Sequence, residues 1–133
     1  MVYGEQRGSA LCDYDGDGRV DLGVTQNGAA TKLYHNTGAK PGLRVRLRGP
    51  AENRNGIGAV LRLKFNDRTG PAREVHGGSG YWSQDSAVVV MATPQTPTAI
   101  EVRWPGGKNT EASLPRNANE ITLGEGGNVL MVR

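Results

Sequence analysis

Residues 13–22 carry the side chains of this chain best suited to chemistry, and they read Asp-Tyr-Asp-Gly-Asp-Gly-Arg-Val-Asp-Leu. A hard cation such as Ca²⁺ needs several oxygen ligands that converge from a tight loop, and it offsets the repulsion between neighbouring carboxylates. Counted as a calcium loop, the stretch places four aspartates at positions 1, 3, 5 and 9, which are Asp13, Asp15, Asp17 and Asp21. The backbone carbonyl of Arg19 stands at position 7. The spacing therefore predicts a Ca²⁺ site.

The end of this loop departs from the helix–loop–helix type of calcium site. Gly18 at position 6 allows the sharp turn, but position 12 is Val24 instead of a glutamate, within a stretch that reads as a short β-strand. Loss of that ligand predicts a modest Kd, on the order of 10⁻⁴–10⁻³ M, and a structural ion. Removal of Asp13 or Asp17 is then expected to lower thermal stability in calcium and to change it little in a chelator. An acidic turn without an ion is the alternative.

Short β-strands are the elements that must position this loop. The chain has 133 residues, of which 20 are glycine and 7 are proline, spread along its length without a long amphipathic helical pattern. Apolar segments between turns predict strands at 21–26, 31–35, 43–48, 59–65, 72–76, 87–92, 99–104, 109–113, 120–123 and 129–132. This pattern predicts an all-β fold, either an antiparallel β-sandwich or a partly open barrel, with an N-terminal calcium-loop β-hairpin.

The same pattern divides the chain into units. We expect a calcium-loop unit over residues 1–38, a β-domain over 42–124 and a C-terminal strand or tail over 125–133. The first unit is too small to bury a core alone, so it must pack on the β-domain or end a repeat array. Cys12 is the single cysteine, which excludes an intrachain disulfide. No apolar run is long enough to span a membrane, and residues 1–5 lack the apolar segment of a signal peptide.

Two segments alternate apolar and basic residues, 43–48 and 61–65. If these strands pair, one sheet face carries five cations, which are Arg44, Arg46, Arg48, Arg62 and Lys64. Such a face is either simply solvated or a binding site for an anionic glycan or phosphate, although like charges opposite each other are destabilising without a partner. The formal net charge of +3 permits a polyanion partner without requiring one. No aromatic residues interleave with these cations, which argues against a single-stranded nucleic-acid partner.

Aromatic residues suggest a second type of ligand. The flat faces of Tyr81, Trp82 and Trp104 could bury sugar rings, while Gln84 offers hydrogen bonds to hydroxyl groups. The competing interpretation is that Trp82 and Trp104 anchor the core of a domain that is otherwise poor in aromatic residues.

A catalytic site would have to be built around His76 and the following Gly-Gly-Ser-Gly. A nucleophile elbow places the serine between glycines at Gly-x-Ser-x-Gly on a turn from strand to helix. Here Tyr81 stands where the last glycine belongs, and no helical pattern follows. We therefore expect a protein that is not an enzyme, with a hydrolase around His76 as a weaker alternative.

Two known families share these motifs. The segment 13–36, with its aspartate loop and the following strands, resembles the final FG-GAP/VCBS-type repeat of an integrin-like β-propeller. From Gly42 to about Leu123 the chain resembles the ASPIC/UnbV domain, which follows such repeats in cartilage acidic protein and in many bacterial secreted proteins. The motifs that carry this second resemblance lie at 43–47, 53–59, 77–84 and 102–107.

The resemblance implies a calcium-binding, non-catalytic recognition or adhesion module that is secreted or at the cell surface. It implies a protein or glycan partner at a cell surface and upstream propeller blades in the same parent chain. The family's cation loop maps onto the four aspartates and the Arg19 carbonyl. One departure concerns residues 89–94, where the family commonly has a Phe-Gly-Leu-Gly-like strand end and this chain reads Val-Val-Met-Ala-Thr-Pro.

Overall fold

The structure, a computed structural model, describes residues 5–133 and is built from β-strands. The strands are β1 Glu5–Cys12, β2 Asp21–Asn27, β3 Lys32–Tyr34, β4 Leu43–Arg48, β5 Val60–Lys64, β6 Arg73–Glu74, β7 Val89–Met91, β8 Ala99–Arg103, β9 Asn109–Ser113, β10 Glu120–Gly124 and β11 Val129–Val132. The prediction of an all-β fold is confirmed. The first four residues of the predicted unit 1–38, and with them most of the segment read for a signal peptide, lie outside the described residues.

Two four-stranded sheets form a β-sandwich, in the strand orders β11-β10-β4-β7 and β6-β5-β8-β9. The alternating residues of 43–48 and 61–65 place their apolar side chains inward, where both sheets contribute to one core. Leu61, Ile100 and Ile121 are fully buried in it, and Trp104 supplies its largest aromatic ring. Within residues 5–133 no helix is long and apolar enough to cross a membrane.

One strand pair is parallel, in contrast to the expected antiparallel arrangement. β10 runs parallel to β4, from Glu120 beside Arg44 to Gly124 beside Arg48. A parallel neighbour requires a crossover connection, and here five strands, four of them in the second sheet, lie between β4 and β10 along the chain. Residue alternation reveals which side of a strand faces the core, but it carries no information on the direction of the neighbouring strand.

The two basic strands do not pair with each other. β4 lies in one sheet and β5 in the other, so their apolar sides face each other across the core. Their cations therefore point to opposite surfaces, with Arg44, Arg46 and Arg48 on one side and Arg62 and Lys64 on the other. The single face of five cations does not form, because inward alternation is satisfied equally well by strands from opposite sheets.

A third, three-stranded sheet precedes the sandwich in the order β1-β2-β3. Its first strand was missed by the sequence analysis, because Glu-Gln-Arg-Gly-Ser-Ala-Leu-Cys is polar and contains a glycine. The buried residues of this sheet are Asp21 and Val24. Pairing with β2 and contacts with the sandwich, more than burial of apolar side chains, therefore hold β1 in place.

Candidate metal centre

The loop between β1 and β2 is organised around the carboxylate of Asp13. Its Oδ1 accepts hydrogen bonds from the backbone N–H groups of Gly16 at 2.9 Å and Asp17 at 3.1 Å, and its Oδ2 accepts one from Gly18 at 2.8 Å. Gly16 and Gly18 have φ angles of 80° and 84°, which residues with a Cβ rarely adopt. The glycines thus let the backbone curl around this side chain.

Asp21 closes the loop as the first residue of β2, and its side chain is only 1 % exposed. Its Oδ2 accepts a hydrogen bond from the backbone of Tyr14 at 3.2 Å, and its Oδ1 accepts one from the backbone of Asn36 at 2.8 Å. The side-chain amide of Asn36, through its Nδ2, donates to the Val20 carbonyl at 3.1 Å. Asp21 therefore ties the loop to the segment that follows β3.

The structure brings the predicted aspartates together in two overlapping clusters. Carboxylate oxygens of Asp13, Asp15 and Asp21 lie within 4.8 Å of one another, and so do ligand atoms of Asp15, Asp17 and His35. The His35 Nε2 lies 3.2 Å from Asp15 Oδ2 and 3.6 Å from Asp17 Oδ2. The first cluster is all oxygen, which is the donor set that a hard cation requires. These clustered residues could hold a metal ion.

Sequence reasoning missed His35, since it lies across the loop from the aspartates and its spacing from them is not periodic. Cys12, which precedes the first aspartate, belongs to neither cluster. Burial, followed by the negative charges of Asp21, Asp13 and Asp85, raises the pKa of the Cys12 thiol.

The side chain of Arg19 contacts the loop beside the predicted carbonyl ligand. Its Nη1 donates to Asp17 Oδ2 at 2.5 Å, and its Nε donates to the Ala39 carbonyl at 2.7 Å. Burial alone would raise the pKa of Asp17, but the hydrogen bonds from the Arg19 side chain and backbone lower it below its ordinary value. These hydrogen bonds favour the charged form of Asp17.

Arg44 joins the aspartate loop to the sandwich. From β4, its Nη1 donates to Asp13 Oδ2 and to the Asp13 carbonyl, and its Nε donates to Glu120 Oε2 at 3.0 Å. The Asp13 side chain is 1 % exposed, so the pair is largely shielded from water. Partial burial alone would lower the pKa of Arg44, but the hydrogen bonds and charges of Asp13 and Glu120 raise it. No spacing in the sequence indicated this long-range contact.

A second contact with the sandwich lies along the free side of β1. The hydroxyl of Ser83 accepts from the Ser9 N–H at 3.0 Å, and Asp85 Oδ1 accepts from the Leu11 N–H at 2.7 Å. The Ser86 N–H donates to the Leu11 carbonyl at 2.9 Å. Residues 83–86 therefore satisfy the edge of β1 as a neighbouring strand would, which limits edge-to-edge association. We call residues 83–86 the edge segment.

Replacement of Asp85 by alanine is expected to free the Leu11 amide and to loosen β1. Hydrogen bonds to a charged acceptor contribute about 1.5–3 kcal/mol, and the partial exposure of this one places the expected loss near the lower limit. Hydrogen exchange measured residue by residue should show faster exchange at Leu11 and unchanged exchange in β8. Unchanged exchange at Leu11 would show that the edge segment does not hold β1.

The candidate sugar-binding residues do not share one surface. Trp104 is 3 % exposed in the core, and its Nε1 donates to Thr110 Oγ1 at 2.8 Å, as expected of a core anchor. Tyr81 and Trp82 are 69 % and 82 % exposed, so the core interpretation is wrong for Trp82. Gln84 Nε2 donates to the backbone carbonyls of His76 and Asp85. Of the predicted set, the structure brings together Tyr81 and Trp82, with ring centroids 5.8 Å apart.

The residues considered for catalysis are held in other contacts. Ser79 Oγ accepts a hydrogen bond from the Asp85 N–H at 2.9 Å, and His76 Nδ1 lies 3.7 Å from Glu74 Oε1. In the described part of the chain, no hydrogen bond connects the His76 ring to the Ser79 hydroxyl.

The fold thus defines a β-sandwich that carries an aspartate-loop sheet at its N-terminal side. Comparison with known families gives a match to the family described as ASPIC and UnbV over residues 49–129, which is more than half of the chain. The chain belongs to the ASPIC/UnbV family, as the resemblance predicted. No curated protein matches the chain. The FG-GAP/VCBS-type repeat expected at 13–36 lies outside the matched residues and stays a prediction.

Proposed function

We propose that this chain is a calcium-binding, non-catalytic recognition or adhesion module that works outside the cell. It would consist of a terminal FG-GAP/VCBS-like repeat followed by its ASPIC/UnbV domain. The observation that carries the proposal is the convergence of Asp13, Asp15 and Asp21, with oxygen atoms within 4.8 Å, at the point where Arg44 joins the loop to the sandwich. Family membership supports the extracellular and non-catalytic part of the proposal.

The residues that would hold the ion are the four aspartates and the Arg19 carbonyl. A bound Ca²⁺ supplies positive charge between carboxylates that otherwise repel one another. The protein's own residues then position the loop. Asp13 accepts hydrogen bonds from the backbone of Gly16 and Gly18, and Asp21 accepts one from the backbone of Asn36. Arg44 of β4 contacts Asp13 and so joins the loop to the sandwich. A stiffer loop presents the first sheet and the sandwich to a partner in one geometry.

A Ca²⁺ titration of the melting temperature tests this proposal. With a Kd on the order of 10⁻⁴–10⁻³ M, ~5 mM free Ca²⁺ should stabilise the fold by about 1–2 kcal/mol relative to EGTA. That corresponds to a rise of several degrees, and Mg²⁺ should produce much less of it because it needs a more rigid octahedral site.

Two variants sharpen the titration. Asp15→Asn should remove most of the rise, whereas Asp67→Asn changes an exposed aspartate in the turn after β5 and should leave it unchanged. A rise that survives Asp15→Asn, or one that Mg²⁺ reproduces, would contradict calcium binding at this loop.

Carbohydrate binding is a second candidate, supported by the exposure of Tyr81 and Trp82 in the connection between β6 and β7. Exposed neighbouring aromatic rings are suited to stacking on sugars. Binding to a panel of surface glycans that Trp82→Ala abolishes, with the fold intact, would support it. Equal binding by this variant would exclude it.

A further inference from the structure

A groove runs along one side of the sandwich, between the edge strands of its two sheets. One cavity of about 590 Å³ is lined by both edge strands, with Arg73 and Glu74 of β6 on one wall and Val89 and Val90 of β7 on the other. A second cavity of about 420 Å³ continues it and shares Arg73 and Val90. The combined volume is in the range of sites that bind molecules of several hundred daltons or a short peptide.

The wall formed by β7 has backbone groups available for pairing. Arg44 of β4 lies directly opposite Val90 of β7. The Arg44 N–H donates to the Asn119 carbonyl, so it points to the side of β4 away from β7. In an antiparallel ladder such a pair exchanges no backbone hydrogen bonds, so the N–H and C=O of Val90 point away from β4. Within residues 5–133, no hydrogen bond to the backbone of Val90 outside this ladder is formed.

The opposite wall is arranged in the same way. The Val75 N–H donates to the Ala59 carbonyl of the neighbouring chain segment, so the backbone groups of the preceding residue, Glu74, point into the groove. Edge strands with free backbone groups are sites of strand addition unless they are blocked. Residues 87–92, which contain β7, read Ala-Val-Val-Val-Met-Ala and include neither a charge nor a proline that would block pairing.

The charges of the groove select the kind of strand that could pair there. The larger cavity is lined by three exposed arginines, Arg62, Arg73 and Arg103, and by three carboxylates, Asp13, Glu74 and Asp85. Asp13 is paired with Arg44, and Asp85 accepts a hydrogen bond from the Leu11 N–H, so the arginines outnumber the remaining carboxylate, Glu74. In the described part of the chain none of these three arginines forms a salt bridge, whereas Arg44 and Lys64 each contact carboxylates. Guanidinium groups bind carboxylates with paired hydrogen bonds. A second copy of this chain would bring the same arginines to the interface, so the charges disfavour self-association.

We propose that this groove binds an extended acidic peptide segment of a partner protein by strand addition to β7. Backbone groups of the peptide pair with Val90, apolar side chains contact Val89 and its neighbours, and carboxylates contact Arg62, Arg73 and Arg103. Binding of such a peptide names a partner class for the recognition role and rests on that role.

The test uses a fluorescein-labelled peptide of about eight residues that alternates valine and glutamate and is about 26 Å long when extended. Fluorescence anisotropy should show saturable binding at low salt and none for the matched valine–lysine peptide. The double variant Arg62→Gln/Arg103→Gln should weaken binding about tenfold or more, since each charged hydrogen bond contributes about 1.5–3 kcal/mol. The matched control Arg46→Gln/Arg48→Gln changes exposed arginines of β4 that line neither cavity, and it should bind as the parent protein does.

A second peptide separates strand addition from simple charge attraction. The same sequence with alternate backbone amides N-methylated keeps its charges but loses half of its donors, and it should not bind. Three results would overturn the proposal: equal binding of the N-methylated peptide, equal weakening by the control variant, or binding of a sulfated heparin oligosaccharide in place of the acidic peptide. The proposed calcium role is tested by ion binding and not by peptide binding, so the two failures are distinguishable.

Discussion

Replacement of Asp13 by alanine is expected to lower the free energy of unfolding by about 3 kcal/mol even when EGTA is present. The side chain accepts three backbone hydrogen bonds of its loop, and its loss leaves Arg44 without its buried partner. The sequence alone predicted little change in a chelator, because it assigned Asp13 only to the ion. Urea denaturation in EGTA measures the difference, and an unchanged unfolding midpoint would contradict the structural role of Asp13.

A double-mutant cycle shows how much of this effect belongs to the contact between the two units. Arg44→Met keeps the aliphatic part of the side chain and removes the charge, and it should be destabilising because Asp13 and Glu120 lose their partner. Residues in one such network usually couple by about 0.5–3 kcal/mol. Arg46→Met, on the same strand and exposed, is the matched control and should couple to Asp13 by less than about 0.5 kcal/mol. Strict additivity of Asp13→Ala and Arg44→Met would contradict the contact.

Replacement of Trp104 by alanine is expected to cost about 3–5 kcal/mol, since it removes a large buried ring and leaves a cavity. The ring is 3 % exposed, and its loss also leaves Thr110 Oγ1 without the indole donor. Thermal and urea unfolding should both report the loss. The variant should show lost stability and no specific change in glycan binding at temperatures where it remains folded.

Trp82→Ala is the matched control for this prediction, because it removes the same ring from an exposed position. Substitutions on the surface usually change stability by no more than about 0.5 kcal/mol. Tryptophan and alanine both carry a Cβ, so the backbone strain at a φ of 53° is about the same in the two proteins. A large loss of stability in Trp82→Ala would contradict its surface position, and no loss in Trp104→Ala would contradict its place in the core.

Strand positions and inward faces could be predicted from the sequence, because both depend on short-range alternation. In Leu43–Arg48 the apolar side chains point into the core as expected. Which strands become neighbours could not be predicted, since β4 pairs with β10 and β7, both distant in sequence. The polar strand β1 was also missed, because its stability comes from pairing with β2 and the edge segment and not from its own composition.

Within the candidate site, the aspartate loop could be predicted from the sequence because its acidic residues lie close together along the chain. Asp13, Asp15 and Asp21 converge as their spacing predicts. The contacts of Arg44 and His35 with the loop could not be predicted from the sequence. Both residues belong to other parts of the chain, and their approach to the loop depends on tertiary packing. The two tryptophans show the same limit: their type is compatible with core and surface, and only tertiary packing distinguishes Trp104 from Trp82.

Terbium luminescence tests calcium binding at this loop most directly. Tyr14 lies within the loop and is 52 % exposed, so its excited ring should sensitise a Tb³⁺ ion held by the neighbouring aspartates. We predict sensitised emission that Ca²⁺ displaces and Mg²⁺ does not, and that Tyr14→Phe or Asp15→Asn removes. Absence of sensitised emission from the folded protein, or emission that persists in Asp15→Asn, would contradict a calcium site formed by Asp13, Asp15 and Asp21.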